Sequence, residues 1–244
     1  MQQRPDRLIL IHGAWAGGWV WDKLVPELAV RGRKAVALEL PGNGHHPIAP
    51  ENVAAEDYLK CLDDAIGDGP VALVGHSGGG MLMTAGAEYF GDRVSQGIWI
   101  AGMLLPDGKS FDDIQETVAG PGKRFGVTPY IVPSVDGRTS TVPPDAAIRF
   151  FFQDLPQGDA ETAAARLTPQ PAAGYRMTSQ TGLAFTALPK LYVLARQDRS
   201  VIPEAQWLMC VGVKNLTVKE VDSGHVPQIS QPSSLAEMID GWLP

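Results

Sequence analysis

The chain has 244 residues, 44% of them hydrophobic and 19% charged, with a formal net charge of −7 at neutral pH and a pI near 5.2. That length suits one large core, and the acidic balance argues against nucleic acid or an anionic membrane as a partner. No apolar run approaches the about 20 residues that cross a bilayer, so no membrane partner is expected. The start, Met1-Gln2-Gln3-Arg4-Pro5-Asp6, lacks a signal-peptide pattern. Cys61 and Cys210 lie among apolar neighbours and read as buried free thiols, which points to a cytoplasmic protein.

Strands are expected near Leu8–Ile11, Lys34–Leu40, Val71–Val74, Gly97–Ala101, Leu191–Ala195 and Leu216–Val221. Helical patterns fall near Trp19–Arg31, Val53–Ile66, Gly79–Phe90, Pro203–Cys210 and Ser233–Trp242. Such alternation predicts an α/β fold: a mostly parallel six-stranded sheet with helices on both faces. The interval from Leu105 to Leu188 is too long for an ordinary connection and is punctuated by Pro and Gly. We therefore expect a core from residues 1–105 and 187–244, and a helical cap from residues 106–186 that roofs the active site.

The apolar run Val71-Ala72-Leu73-Val74 ends in Gly75-His76-Ser77-Gly78-Gly79, and a helical pattern follows. Strand, G-x-S-x-G and helix together describe a nucleophile elbow. The sharp turn lifts a serine hydroxyl clear of the sheet, over the positive end of a helix. Gly75, Gly78 and Gly79 suit the crowding there, and Ser77 is the candidate nucleophile.

A serine needs a base. On such sheets the partners follow in chain order: serine, carboxylate, histidine. Among five histidines only His225 lies well beyond Ser77, which makes it the candidate general base. The carboxylate belongs at the end of an intervening strand, where Asp198 follows Leu191–Ala195. Asp222 reads as a turn cap and Asp107 as a variant position. The oxyanion hole is expected from the N–H groups of Gly78 and of Ala14, in the glycine-containing turn after the first strand. His12, ending a buried strand, reads as a hydrogen-bonded structural residue. His45-His46 reads as a loop pair without carboxylates. Nothing matches a metal cluster, P-loop or dinucleotide fingerprint, so no metal and no cofactor are expected.

On these motifs the chain resembles the α/β-hydrolases of the plant methylesterase and hydroxynitrile lyase group, which includes salicylate methyl ester hydrolases and bacterial relatives. The resemblance rests on Leu10-Ile11-His12-Gly13-Ala14-Trp15 with Gly18-Trp19-Val20-Trp21-Asp22-Lys23-Leu24, and on Gly75-His76-Ser77-Gly78-Gly79. It continues through Leu104-Leu105-Pro106-Asp107, Asp198-Arg199-Ser200-Val201-Ile202-Pro203 and Gly224-His225-Val226-Pro227. Residues 108–186 are similar only loosely. Cyanohydrin-cleaving members carry a threonine where Gly13 stands and a lysine where Val226 stands; esterase members resemble this chain at both positions. The resemblance therefore implies a serine carboxylesterase acting through an acyl-enzyme on a small-molecule ester. Rival readings are a lyase, a carbon–carbon bond hydrolase, or a small-molecule receptor that turns over slowly.

Gly13, Trp15, Met103, Phe125, Tyr130, Phe151, Met177 and Val226 are the candidate pocket walls, with Phe150-Phe151-Phe152 read as a short amphipathic helix whose rings mostly pack the cap onto the core. Walls of this kind favour a hydrophobic or aromatic acyl group over sugars or charged acids. Composition shows no clear self-association patch and leaves a homodimer open.

Overall fold

The computed structural model describes residues 4–175 and 181–244. The chain runs β1 (Arg7–Ile11), α1 (Leu24–Val30), β2 (Ala35–Ala37), α2 (Ala55–Ile66), β3 (Val71–His76), α3 (Gly79–Phe90) and β4 (Val94–Ile100). An insertion follows with α4 (Phe111–Ala119), β5 (Val132–Pro133), β6 (Thr139–Thr141), α5 (Pro144–Phe150), α6 (Gln157–Ala165) and β7 (Gln170–Pro171). The chain then completes α7 (Leu183–Ala187), β8 (Lys190–Ala195), α8 (Pro203–Cys210), β9 (Leu216–Val221), α9 (Pro227–Ser230) and α10 (Pro232–Asp240).

The main sheet has six strands in the order β2-β1-β3-β4-β8-β9, and every neighbouring pair is parallel. Alternation along each strand divides the core between its two faces. Ile9, Ile11, Leu73, Trp99 and Tyr192 face one side, where they meet Tyr58 and Leu62 of α2, Leu82 and Met83 of α3, and Met209 of α8. Leu8, Leu10, Val74, Ile98 and Val193 face the other, against Leu24 and Leu28 of α1 and Leu235 and Ile239 of α10. Central strands buried on both faces read as continuous apolar runs, which is why β3 and β8 stand out in the sequence.

Topology places the site. From β1 the chain steps outward to β2, then returns to β3 and proceeds the other way to β4. The turns after β1 and β3 therefore part at the sheet's carboxyl edge, and open sheets bind ligands in such a crevice.

Several expected boundaries move. The helix expected over Trp19–Arg31 splits into a 3-10 turn at Gly18–Trp21 and α1 from Leu24. Pro26 lacks an N–H, so it is tolerated only in a helix's first turn and sets where α1 begins. Of the strand expected over Lys34–Leu40, only Ala35–Ala37 join the ladder. The insertion is not wholly helical, because β5, β6 and β7 form a small antiparallel sheet. Phe150 ends α5, while Phe151 and Phe152 sit in the turn beyond it.

Candidate active site

Ser77 occupies the turn between β3 and α3 with φ +49°, a left-handed conformation that a side-chain-bearing residue holds at a cost of about 1–3 kcal/mol. Its backbone is tied down on both sides. The Ser77 N–H donates to the Ile100 carbonyl at 3.2 Å, and its own carbonyl accepts from Gly80 at 3.0 Å and Met103 at 2.9 Å. The neighbouring glycines answer to crowding. A Cβ on Gly79 would lie 2.5 Å from the His12 oxygen, and one on Gly75 would lie 2.7 Å from Met83 Sδ. Gly78 is different, since a Cβ there would find its nearest atom, the Ala14 nitrogen, at an ordinary 3.5 Å.

His225 and Ser77 line one small recess, with Val226, His76, Gly13 and Ala14 around them. His225 Nδ1 meets Asp198 Oδ2 at 2.7 Å, and both residues are buried. The other Asp198 oxygen accepts the backbone N–H groups of Ser200 at 2.7 Å and Val201 at 3.0 Å. Burial pushes the Asp198 carboxyl above the usual carboxylate range, and the adjacent His225 and these N–H donors act against that push. Asp222 and Asp107 go elsewhere: Asp222 accepts from Gln197 and pairs with Arg196, and Asp107 accepts the Thr181 N–H at 2.8 Å.

Sequence reasoning missed Gln206 and Asp154, which hold this pair, and gave Phe151 only as a pocket wall. Gln206 of α8, fully buried, donates to the carbonyls of Val201 at 2.6 Å and Ala195 at 3.2 Å and to Asp198 Oδ2 at 3.3 Å. Its own oxygen accepts the Ala195 N–H at 3.0 Å, so one amide clamps the loop that carries Asp198. From the insertion, Asp154 accepts the Gly224 N–H at 2.7 Å and the Ser223 hydroxyl at 3.1 Å. The Phe151 ring stacks on His225 at 5.3 Å and on Trp15 at 5.9 Å.

The two other buried histidines are structural. His12 accepts the Leu40 N–H at Nε2, which leaves its Nδ1–H to donate to the Gly13 carbonyl at 2.8 Å. His76 donates from Nε2 to the His225 carbonyl at 2.8 Å. Burial lowers the proton affinity of both imidazoles, so they stay neutral.

In front of Ser77 lies a cavity of about 460 Å³, and Gly13, Ala14, Trp15, Gly78, Met103 and Phe151 are among its walls. Neither the Ala14 nor the Gly78 N–H has a hydrogen-bond partner among the described residues. Trp15 holds φ +62°, a second strained residue, at the turn after β1. Two expected wall residues stand outside. Phe125 packs edge-on against Phe111, which takes the wall position itself. Tyr130 is 42% exposed and packs on the half-buried Phe150 ring at the end of α5. Val226 borders the recess beside His225 instead of the larger cavity, and Met177 lies outside the described residues.

A parallel sheet with a strained serine between strand and helix, beside a histidine–aspartate pair, defines the class of α/β-hydrolases. The comparison with known families agrees: residues 8–238 match the alpha/beta hydrolase family, and the chain belongs to it. Its relatives include putative methylesterase 14 of Arabidopsis thaliana, 26% identical and covering 96% of this chain and 70% of that one. Esterase PIR7B of Oryza sativa subsp. japonica is 25% identical over 95% of this chain and 93% of its own. Among solved structures, a pyrethroid hydrolase from Sphingobium faniae JZ-2 superposes with a TM-score of 0.84 at 26% identity, covering 97% of this chain and 96% of that one. The chain groups with the methylesterase-like members of the family.

Proposed function

We propose that the protein is a serine carboxylesterase acting on a hydrophobic or aromatic ester. The observation that carries this reading is Ser77, held at φ +49° on the elbow and sharing a recess with His225, whose far nitrogen meets Asp198 at 2.7 Å. The relatives named methylesterases, esterases and a pyrethroid hydrolase support it.

The chemistry runs in two halves. Asp198 keeps the His225 proton on Nδ1, which leaves Nε2 as the base for the Ser77 hydroxyl. Ser77 attacks the ester carbonyl, and the Gly78 and Ala14 N–H groups receive the oxyanion, each such donor contributing about 3–4 kcal/mol to lowering the barrier. His225 returns its proton to the departing alcohol. Water then attacks the acyl-enzyme by the same route and releases the acid.

Cavity walls of Trp15, Leu40, Met81, Leu82, Met103, Phe111 and Phe151 suit an apolar acyl or alcohol group. Gly13 and Val226 weigh against cyanohydrin cleavage. A Cβ on Gly13 would lie 2.9 Å from Ser77 Cβ, and buried Val226 offers no charge to a departing cyanide.

The test is hydrolysis of p-nitrophenyl esters from acetate to octanoate by the wild type and by Ser77→Ala. We expect turnover in the first and near-complete loss in a folded second. Equal rates in both would remove Ser77 from the reaction, and no turnover on any ester would favour a lyase or a receptor.

A further inference from the structure

One wall of the cavity carries two buried polar side chains. Tyr58 from α2 and Gln170 from β7 both line it, 3% and 6% exposed, beside the apolar Leu40 and Leu82. The orientation of the Gln170 amide is set, because its oxygen accepts the Trp15 N–H at 2.9 Å and its nitrogen must then point the other way. Among the described residues, that nitrogen reaches only long partners, the Tyr58 hydroxyl and the Pro171 carbonyl, both at 3.5 Å. The Tyr58 hydroxyl accepts from Gln170, and its own proton has no acceptor among the described residues. Burial pushes the phenol well above its ordinary value, so the proton stays on.

Gly174 keeps this spot uncovered. A Cβ there would lie 2.7 Å from the Gln170 nitrogen and 3.1 Å from the Tyr58 oxygen. A Tyr58 O–H with no acceptor among the described residues thus stands in a buried wall beside a Gln170 amide held only by long bonds, and a buried donor without a good partner is costly. Neither donor is charged, so the pair suits a neutral acceptor. A carboxylate buried against them would gain no counter-charge from either.

We infer that Tyr58 and Gln170 form a subsite for a neutral acceptor oxygen, and that the substrate is an ester bearing a second carbonyl, remote from the one Ser77 attacks. This rests on the esterase reading above. It narrows that reading from hydrophobic esters in general to keto esters or diesters, in which an apolar chain or ring joins the two carbonyls.

Methyl octanoate and the methyl 4-, 5-, 6- and 7-oxooctanoates separate the two ideas, because their remote ketones barely alter the reacting ester. We expect the wild type to prefer one oxo position over the plain ester by roughly five- to tenfold in kcat/KM, the worth of one neutral hydrogen bond. In Tyr58→Phe that ratio should fall toward one. A wild type that hydrolyses every ester without favouring an oxo position overturns the subsite and leaves the esterase reading standing. So does a preference that survives unchanged in Tyr58→Phe. A wild type that hydrolyses none counts against the esterase reading. The subsite is then decided by calorimetric binding of the same esters to Ser77→Ala, where the favoured oxo ester should bind five- to tenfold more tightly than methyl octanoate, and equal binding would overturn it.

Discussion

Asp154, in the turn between α5 and α6, accepts the backbone N–H of Gly224 at 2.7 Å, one residue before His225. Two residues of one short stretch thus grip the loop of the candidate base: Asp154 holds its backbone, and Phe151 stacks on its ring. The stretch between β4 and α7 contributes to the placement of the imidazole as well as to the walls of the cavity. Asp154→Ala leaves the Gly224 N–H without its acceptor, and a base displaced by a fraction of an ångström should lower kcat about ten- to hundredfold. Asp154 does not line the cavity, so KM should change little. Asp154→Asn retains an oxygen for the same N–H and should restore most of the rate. Steady-state kinetics on p-nitrophenyl butyrate decide it, and an unchanged kcat in Asp154→Ala would remove the positioning role.

Asp198→Asn tests the next contact outward. The asparagine oxygen can still accept the Ser200 and Val201 N–H groups, so the loop should keep its shape. Its NH₂ would then face His225 Nδ1 and force the ring proton onto Nε2, where no base is left for Ser77. By analogy with serine proteases, kcat should fall by about 10⁴-fold with a native circular dichroism spectrum. A variant that keeps most of its activity would show that Asp198 does not orient the base.

The parts of this site legible in the sequence are those written into local patterns. The elbow is one, because the close contacts at Gly75 and Gly79 demand glycine within a few residues of Ser77. Asp198 is another, since strand ends are visible and the chain order is restricted. Gln206 and Asp154 leave no such trace, and Phe151, expected as a pocket wall, gives no sign of its stacking on His225. Asp154 meets a partner 70 residues away, and an isolated aspartate in a turn resembles any other. Phe150, Phe151 and Phe152 are indistinguishable as letters, yet the helix ends between the first and second and sends their rings to different places. Strands β5 and β7, of two residues each, are too short to show a period.

Gly13 tests how tightly the turn after β1 presses on the nucleophile. A methyl group there would lie 2.9 Å from Ser77 Cβ and 3.2 Å from the His76 carbonyl oxygen. Ser77 cannot retreat easily, because three backbone hydrogen bonds fix it. Gly13→Ala should therefore displace the serine or the Ala14 amide and lower kcat/KM by about 10²-fold, with a smaller effect on unfolding. Wild-type kinetics in a folded Gly13→Ala would mean that the turn yields and that the close approach is not needed for turnover.

Lys190 carries a pH prediction away from the site. Its ammonium is buried at the start of β8, donating to the carbonyls of Leu188 at 2.7 Å and Lys214 at 3.0 Å, with the Phe185 ring 4.5 Å away. No carboxylate is among its described partners, and burial pulls its pKa down to about 8. An unfolded lysine titrates near 10.4, so between those values the unfolded chain holds the extra proton. Stability from this group should therefore rise as pH climbs from about 8 to 10.5 and be lost as pH falls back through 8. Other groups titrate in the same window, so the reading comes from the difference between wild type and Lys190→Met in urea unfolding. That difference should shift in favour of the wild type as pH rises. A flat difference from pH 7 to pH 10.5 would mean that the buried ammonium keeps an ordinary pKa through its carbonyl and ring contacts.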